Sequence, residues 1–119
     1  MANPATNSYE VSGAVQTSDG LTQVKRAFAT GATAATHTLV SAVTDKKIRV
    51  LQFFATTVDG LNLTFKSAST TISANIAAAG IMSSYCPHGW FETAAGEALG
   101  FAIDAAESTS VQVIYVEVS

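Results

Sequence analysis

A chain of 119 residues fits one domain and can bury a core without disulfides or metals. Its hydrophobic share, 48%, is ordinary for a globular protein, but charged residues reach only 13%, where about a quarter is typical. The net charge of −3 and the six dispersed basic residues exclude the basic patch that nucleic-acid binding uses to release counterions. No apolar run approaches the roughly 18 residues of a membrane-spanning helix. Ser, Thr, Ala, Asn and Gln must therefore cover most of the surface. Such a surface is cheap to desolvate against a neighbouring chain, and a low-charge β exterior left bare invites association.

In chain order, residues 1–8 show no periodicity and read as a flexible N-terminal arm, with neither the basic nor the apolar region of a signal peptide. From Tyr9, Val11, Gly13 and Val15 alternate with polar partners, the period of a half-buried strand. Ser18-Asp19-Gly20 marks a turn into a second strand, Leu21 to Phe28, with Val24 and Phe28 expected inward and Lys25 outward. Thr36 to Val43 follows, then a Thr44-Asp45 turn. Lys46 to Thr57 is the strongest strand: Ile48, Val50 and Phe54 are expected on one face, Leu51 and Phe53 on the other, so both faces need cover. Asp59-Gly60 turns the chain into Leu61, Leu63 and Phe65. Ser67 to Ser73 reads as a turn and short strand, Ala74 to Ala79 as the one candidate helical turn, and Ile81 to Tyr85 as a strand. Gly89 to Gly96 is a loop anchored by Trp90 and Phe91, followed by the alternation Leu99, Phe101, Ile103. In the last strand Val111 and Val113 share one face while Ile114, Val116 and Val118 share the other, which calls for a bulge or for cover on both sides.

About eight short strands at roughly ten-residue spacing predict an all-β chain, an antiparallel β-sandwich of jelly-roll type occupying residues 9–119. Chemistry-bearing motifs are scarce. Cys86 and His88 could supply two zinc ligands, but a structural site needs four and no second pair exists. Cys86 has no oxyanion-hole signature beside it and reads as a structural cysteine, and a single cysteine allows no intrachain disulfide, as in a chain made in a reducing cytoplasm. Asp19, Asp45 and Asp59 sit in turns, where Asp bonds its own backbone. Glu92 and Glu97 are the one pair that a hydrolase or a calcium site would draw on, yet their spacing matches no ligand loop, and a loop closed by side-chain hydrogen bonds is the plainer expectation. No catalytic, cofactor or metal residue is assigned, and the chain is not expected to be an enzyme.

The order Lys-Lys-Ile-Arg-Val-Leu (46 to 51), a Gly-centred turn, Thr-Phe-Lys-Ser (64 to 67), the stretch from Gly89 through Trp90-Phe91-Glu92-Thr93 to Leu99, and a closing Val-Glu-Val (116 to 118) resembles small virion proteins of tailed bacteriophages. These include head decoration, or cement, proteins with jelly-roll folds. The resemblance covers roughly residues 35–119, and its most distinctive part is 89–99. It implies a homotrimer on the outer head surface of the virion, made in the host cytoplasm, in contact with the major capsid protein, with no nucleic-acid or membrane partner. On that reading the aromatic and doubly apolar positions that would anchor an interface are Tyr9, Leu51, Phe53, Trp90, Phe91, Ile114 and Val116, with Phe28 as a further aromatic anchor or core residue. A second possibility is a receptor- or carbohydrate-binding module of a tail or fibre, which would present Tyr85 or Trp90 to sugar faces.

Overall fold

The computed structural model describes the backbone from Asn7 to Ser119 and the side chains after Ser12. Its strands are β1 (Asn7–Thr17), β2 (Gly20–Gly31), β3 (Thr36–Val40), β4 (Lys47–Thr57), β5 (Leu61–Ser67), β6 (Thr70–Thr71), β7 (Ile76–Ala78), β8 (Ile81–Tyr85), β9 (Phe91–Glu92), β10 (Leu99–Ile103) and β11 (Thr109–Val118). Residues 1–6 of the expected arm lie outside the described residues, and Asn7 and Ser8 belong to β1.

Two antiparallel sheets face each other. Sheet A runs β1-β2-β11-β4-β8, with β9 also pairing β4; sheet B runs β3-β10-β5-β6, with β7 also pairing β5. Strands early and late in the chain thus pair with one another, β2 with β11 and β3 with β10, and the chain alternates between sheets. This is the strand order of a jelly roll, with β1 added at one edge. The described strands number eleven rather than about eight, because short rim pairings such as β7 and β9 extend the sheets within segments read as a helical turn and a loop. One such extension corrects an expectation. Ala74 to Ala79 holds no helical turn: Ile76–Ala78 pairs with Leu61–Leu63. A helix that short forms too few bonds to repay its nucleation, while the open edge of β5 offers a partner for each residue.

The main core lies between the sheets. Phe65 and Leu63 on β5 sit opposite Phe101 and Ile103 on β10, and they meet Phe53, Ala55, Val111, Val113 and Tyr115 of sheet A. Burying each large side chain stabilises the fold by about 1.5–3 kcal/mol. Phe53, Phe65 and Phe91 join ring to ring, with centroids 5.6 Å apart for Phe53–Phe65 and 4.8 Å for Phe65–Phe91.

A second, smaller core explains the doubly apolar strands. Between β4 and β11 the register shifts: Gln52 faces Ile114, but the next pair is Val50 with Tyr115, leaving Leu51 as the bulged residue. The bulge turns the side-chain phase over. Ile48 and Val50 face the main core, and so do Phe53 and Ala55, while Phe54 points outward. The expected places of Phe53 and Phe54 are therefore exchanged. Leu51 joins Val116 and Val118 on the reverse face, where Val15 and Val24 of the β1–β2 hairpin pack over them. Val24 and Phe28 accordingly lie on the outer side of sheet A, and Ala27 takes the inward place. Lys25, expected outward, lies opposite Tyr115 and pairs with Glu117 at 3.2 Å.

Asp19 at the hairpin tip accepts a bond from the Ser119 N–H at 2.7 Å and lies 3.7 Å from the Lys46 ammonium. The backbone bond and the nearby cation hold its carboxyl below the ordinary value of 3.8, against a smaller opposing effect of desolvation. Hydrogen bonds from the Asn62 backbone and side-chain amides, both 2.8 Å, do the same for Asp104.

Candidate interaction surface

The outer face of sheet A is laid out by the strand registers. One row runs Phe28, Gln112, Phe54, Ser83 across β2, β11, β4 and β8. The row on one side is Arg26, Ile114, Gln52, Tyr85, and on the other Thr30, Ser110, Thr56, Ile81. Aromatic and aliphatic side chains thus stand among small neutral ones. Phe54 is 40% exposed, Tyr85 58% and Ile81 75%. The single charged side chain of these three rows, Arg26, lies with its guanidinium 5.8 Å from the centroid of the Phe28 ring. Large exposed apolar side chains collected on one face mark a contact surface more often than the same residues scattered singly.

The loop from Cys86 to Leu99 borders this face and is held by backbone bonds. Cys86 N–H donates to the Leu51 carbonyl at 2.7 Å, and Trp90 N–H to that of Val50 at 2.7 Å. Thr93 N–H donates to the Ile48 carbonyl at 3.0 Å, while the Thr93 hydroxyl accepts from Ile48 N–H at 2.9 Å. Gly89, at φ +95°, turns the chain between Cys86 and Trp90, and a Cβ there would stand 2.7 Å from Cγ of Arg49. Only glycine fits both constraints. The turn delivers Trp90, 45% exposed, edge-on to Phe53 at 5.8 Å. A cleft of about 310 Å³ opens there between Trp90 and Phe91 on one side and Ile72, Ala74 and Ile76 on the other.

The carboxylates of this loop are spoken for. Glu92 pairs with Arg49 at 2.9 Å and with Lys47 at 3.6 Å. Glu97 accepts a bond from the Ser67 hydroxyl, which in turn accepts from Ala94 N–H at 3.0 Å. The side-chain bonding expected of this loop is what ties it to β5. His37 rests on Phe101, with centroids 5.2 Å apart, and its Nε2 lies 2.9 Å from the Thr33 carbonyl, a packing role that the missing side chain of Gly31 makes room for. Cys86 is half-buried and His88 exposed, and among the described residues no three His, Cys, Asp or Glu side chains gather into a metal-holding group.

The suggested interface residues fall into three groups. Leu51, Phe53 and Val116 are enclosed by the chain's own two cores. Trp90 is exposed, while Phe91 and Ile114 are half-buried at the surface. The side chain of Tyr9 lies outside the described ones; its backbone pairs with Arg26. Phe28, Phe54, Ile81 and Tyr85 complete the apolar face. Of these, Phe54 was concealed in the sequence by the bulge at Leu51. A signal for the β8 side was nevertheless present, since no Asp, Glu, Lys or Arg occurs from Ser67 to Phe91.

No protein-family model matches the chain, and no curated protein matches it. Among solved structures it is similar to a chain of the Cyanophage Pam1 capsid asymmetric unit, at 14% identity and a TM-score of 0.49, covering 98% of this chain and 89% of that one. A likeness of that size assigns no function.

Proposed function

We propose that the protein is a non-enzymatic structural component of a phage virion, of the decoration or cement type, which self-associates as a trimer on the outer surface of the head. The observation that carries this reading is the outer face of sheet A, where Phe28, Phe54, Ile81, Tyr85 and Ile114 stand in a nearly uncharged field. Covering such a face releases water from apolar area and strips hydration from few ionic groups, so a neighbour gains most where the chain has least to lose. The sequence resemblance of residues 35–119 supports the same reading. Mechanically, a protein bridging capsomers adds area that must be exposed before they separate, and standard interfaces bury about 1,600 Å² in total.

Light scattering of the purified protein and co-sedimentation with heads stripped of their decoration test this. A trimer that rebinds the heads and raises the temperature at which they release DNA is the expected result. A monomer that ignores them would dispose of the proposal. Exposed Tyr85 and Trp90 favour a second reading, a carbohydrate-binding module of the tail, since aromatic faces stack on sugars. Glycan binding together with tail labelling in electron micrographs would select it instead.

A further inference from the structure

Strand β8 is the rim of sheet A opposite the hairpin, and among the described residues only β4 pairs with it. The bonds at its two ends show which way its backbone points. Thr57 N–H donates to the Gly80 carbonyl at 2.9 Å, and Cys86 N–H donates to the Leu51 carbonyl at 2.7 Å. In an antiparallel ladder the N–H and C=O of successive residues address opposite neighbours. Positions 80, 82, 84 and 86 therefore face β4, and Ile81, Ser83 and Tyr85 direct their backbone groups away from the sheet. Bare edges of this kind are ordinarily guarded by Lys, Pro, a bulge or an inward charge. β8 has none of these: no charged residue lies between Lys66 and Glu92, Pro87 comes after the strand ends, and its register with β4 is unbroken.

We propose that β8 pairs antiparallel with β8 of a second copy, across a two-fold axis through Ser83. In that register Ser83 faces Ser83 and Ile81 faces Tyr85, so every outward-directed backbone group of the strand meets a complement, as an isologous contact requires. The side chains agree. Ser83, Ile81 and Tyr85 lie on the outer face, where the small Ser83 allows close approach at the axis and the 75% exposed Ile81 packs on the 58% exposed Tyr85 of the other copy. Phe54, beside Ser83, adds apolar area on each side of the axis. Charge also selects this occupant. A charged strand would find no counter-charge along β8, whereas a second copy brings an equally neutral edge. The contact deepens the proposed function, resting on its self-association, and it links trimers rather than building them. A five-residue strand makes a short seam, so the pairing is weak in dilute solution and strengthens where copies are held side by side on a shell.

Cysteine cross-linking in the full chain, with Cys86→Ser as background, tests the register. Ser83→Cys should give covalent dimers at about ten times the yield of Ser69→Cys, an exposed residue in the same uncharged stretch, because hydrogen-bonded pairs place Cα atoms about 5.5 Å apart, within disulfide reach. The Ile81→Cys/Tyr85→Cys double variant should also cross-link, and neither single variant should. Ser83→Lys, at an exposed position, should keep the thermal midpoint while limiting assembly to the trimer. Equal yields at positions 69 and 83, or singles that cross-link as readily as the double, overturn the pairing. Binding of Ser83→Lys to heads with its assembly unchanged overturns the pairing alone. Cross-linking at position 83 in a protein that never binds heads overturns the capsid reading and leaves the pairing standing.

Discussion

Sheet A is finished one way at the hairpin side and another way at β8. At the first, the β1–β2 hairpin packs Val15 and Val24 over Leu51, Val116 and Val118, and is pinned by Lys25–Glu117 and by Asp19 with Ser119 and Lys46. At the second, Ile81, Ser83 and Tyr85 present backbone and side chains with neither a covering element nor a charge among the described residues. The ion pairs of the hairpin are partly exposed and screened by solvent, so the second core does most of the holding. The contrast teaches that this chain spends charge on tying down the hairpin and leaves the β8 rim neutral and exposed.

If that division is right, substitutions on the hairpin side should cost stability and those on the β8 side should cost association. The largest effect is expected from Leu51→Ala, which empties the second core and should destabilise the fold by about 2–5 kcal/mol in urea unfolding. A loss below 1 kcal/mol would mean that the hairpin is held by its polar contacts instead. Next comes Gly89→Ala, where a positive φ and the contact with Arg49 combine; about 1–3 kcal/mol is expected, together with altered Trp90 fluorescence as the turn gives way.

A smaller effect is the response to acid. Asp19 has its carboxyl pKa depressed in the folded state, so its contribution is fully present above 3.8 and is lost as the pH falls through the lower, folded value. Proteolysis at the Ser18–Gly20 turn should accelerate in that range in the native protein. In Asp19→Asn the acceleration should vanish, which separates it from Asp104, titrating in the same direction. The smallest change in stability is expected from Tyr85→Ala, within about 0.5 kcal/mol of the parent because the side chain is mostly in solvent. Its self-association should nonetheless weaken, which analytical ultracentrifugation at several concentrations would read. A Tyr85→Ala protein that unfolds early and assembles normally would reverse the comparison.

Much of this is legible in the sequence. Alternation along Leu61–Phe65 and Leu99–Ile103 marks strands because side chains of a pleated chain point to opposite faces, and both segments pack as that pattern demands. The doubly apolar runs of β4 and β11 correctly signalled a need for cover on both sides, and Ser18-Asp19-Gly20 marked the hairpin turn. Where alternation was followed through Leu51 it misplaced Phe53 and Phe54. A bulge adds one residue without leaving a mark in polarity, and every position beyond it changes face. Phe28 and Val24 were misplaced for a related reason. In β2 the small Ala27 occupies the core, and the larger apolar residues lie outside, where the partner of one is the chain's own hairpin.

The sequence by itself determined the all-β class, the strand spacing and the shortage of charge, since these depend on local periodicity and composition alone. Tertiary structure decided which face of each strand is inward, which apolar residues the chain covers itself and which it leaves bare. Those outcomes depend on strand register and on the path of the hairpin, and both are set by contacts between residues far apart in the chain. Leu51 and Phe54, three positions apart on one strand, show the difference: one is enclosed beneath Val15 and Val24, and the other is left exposed.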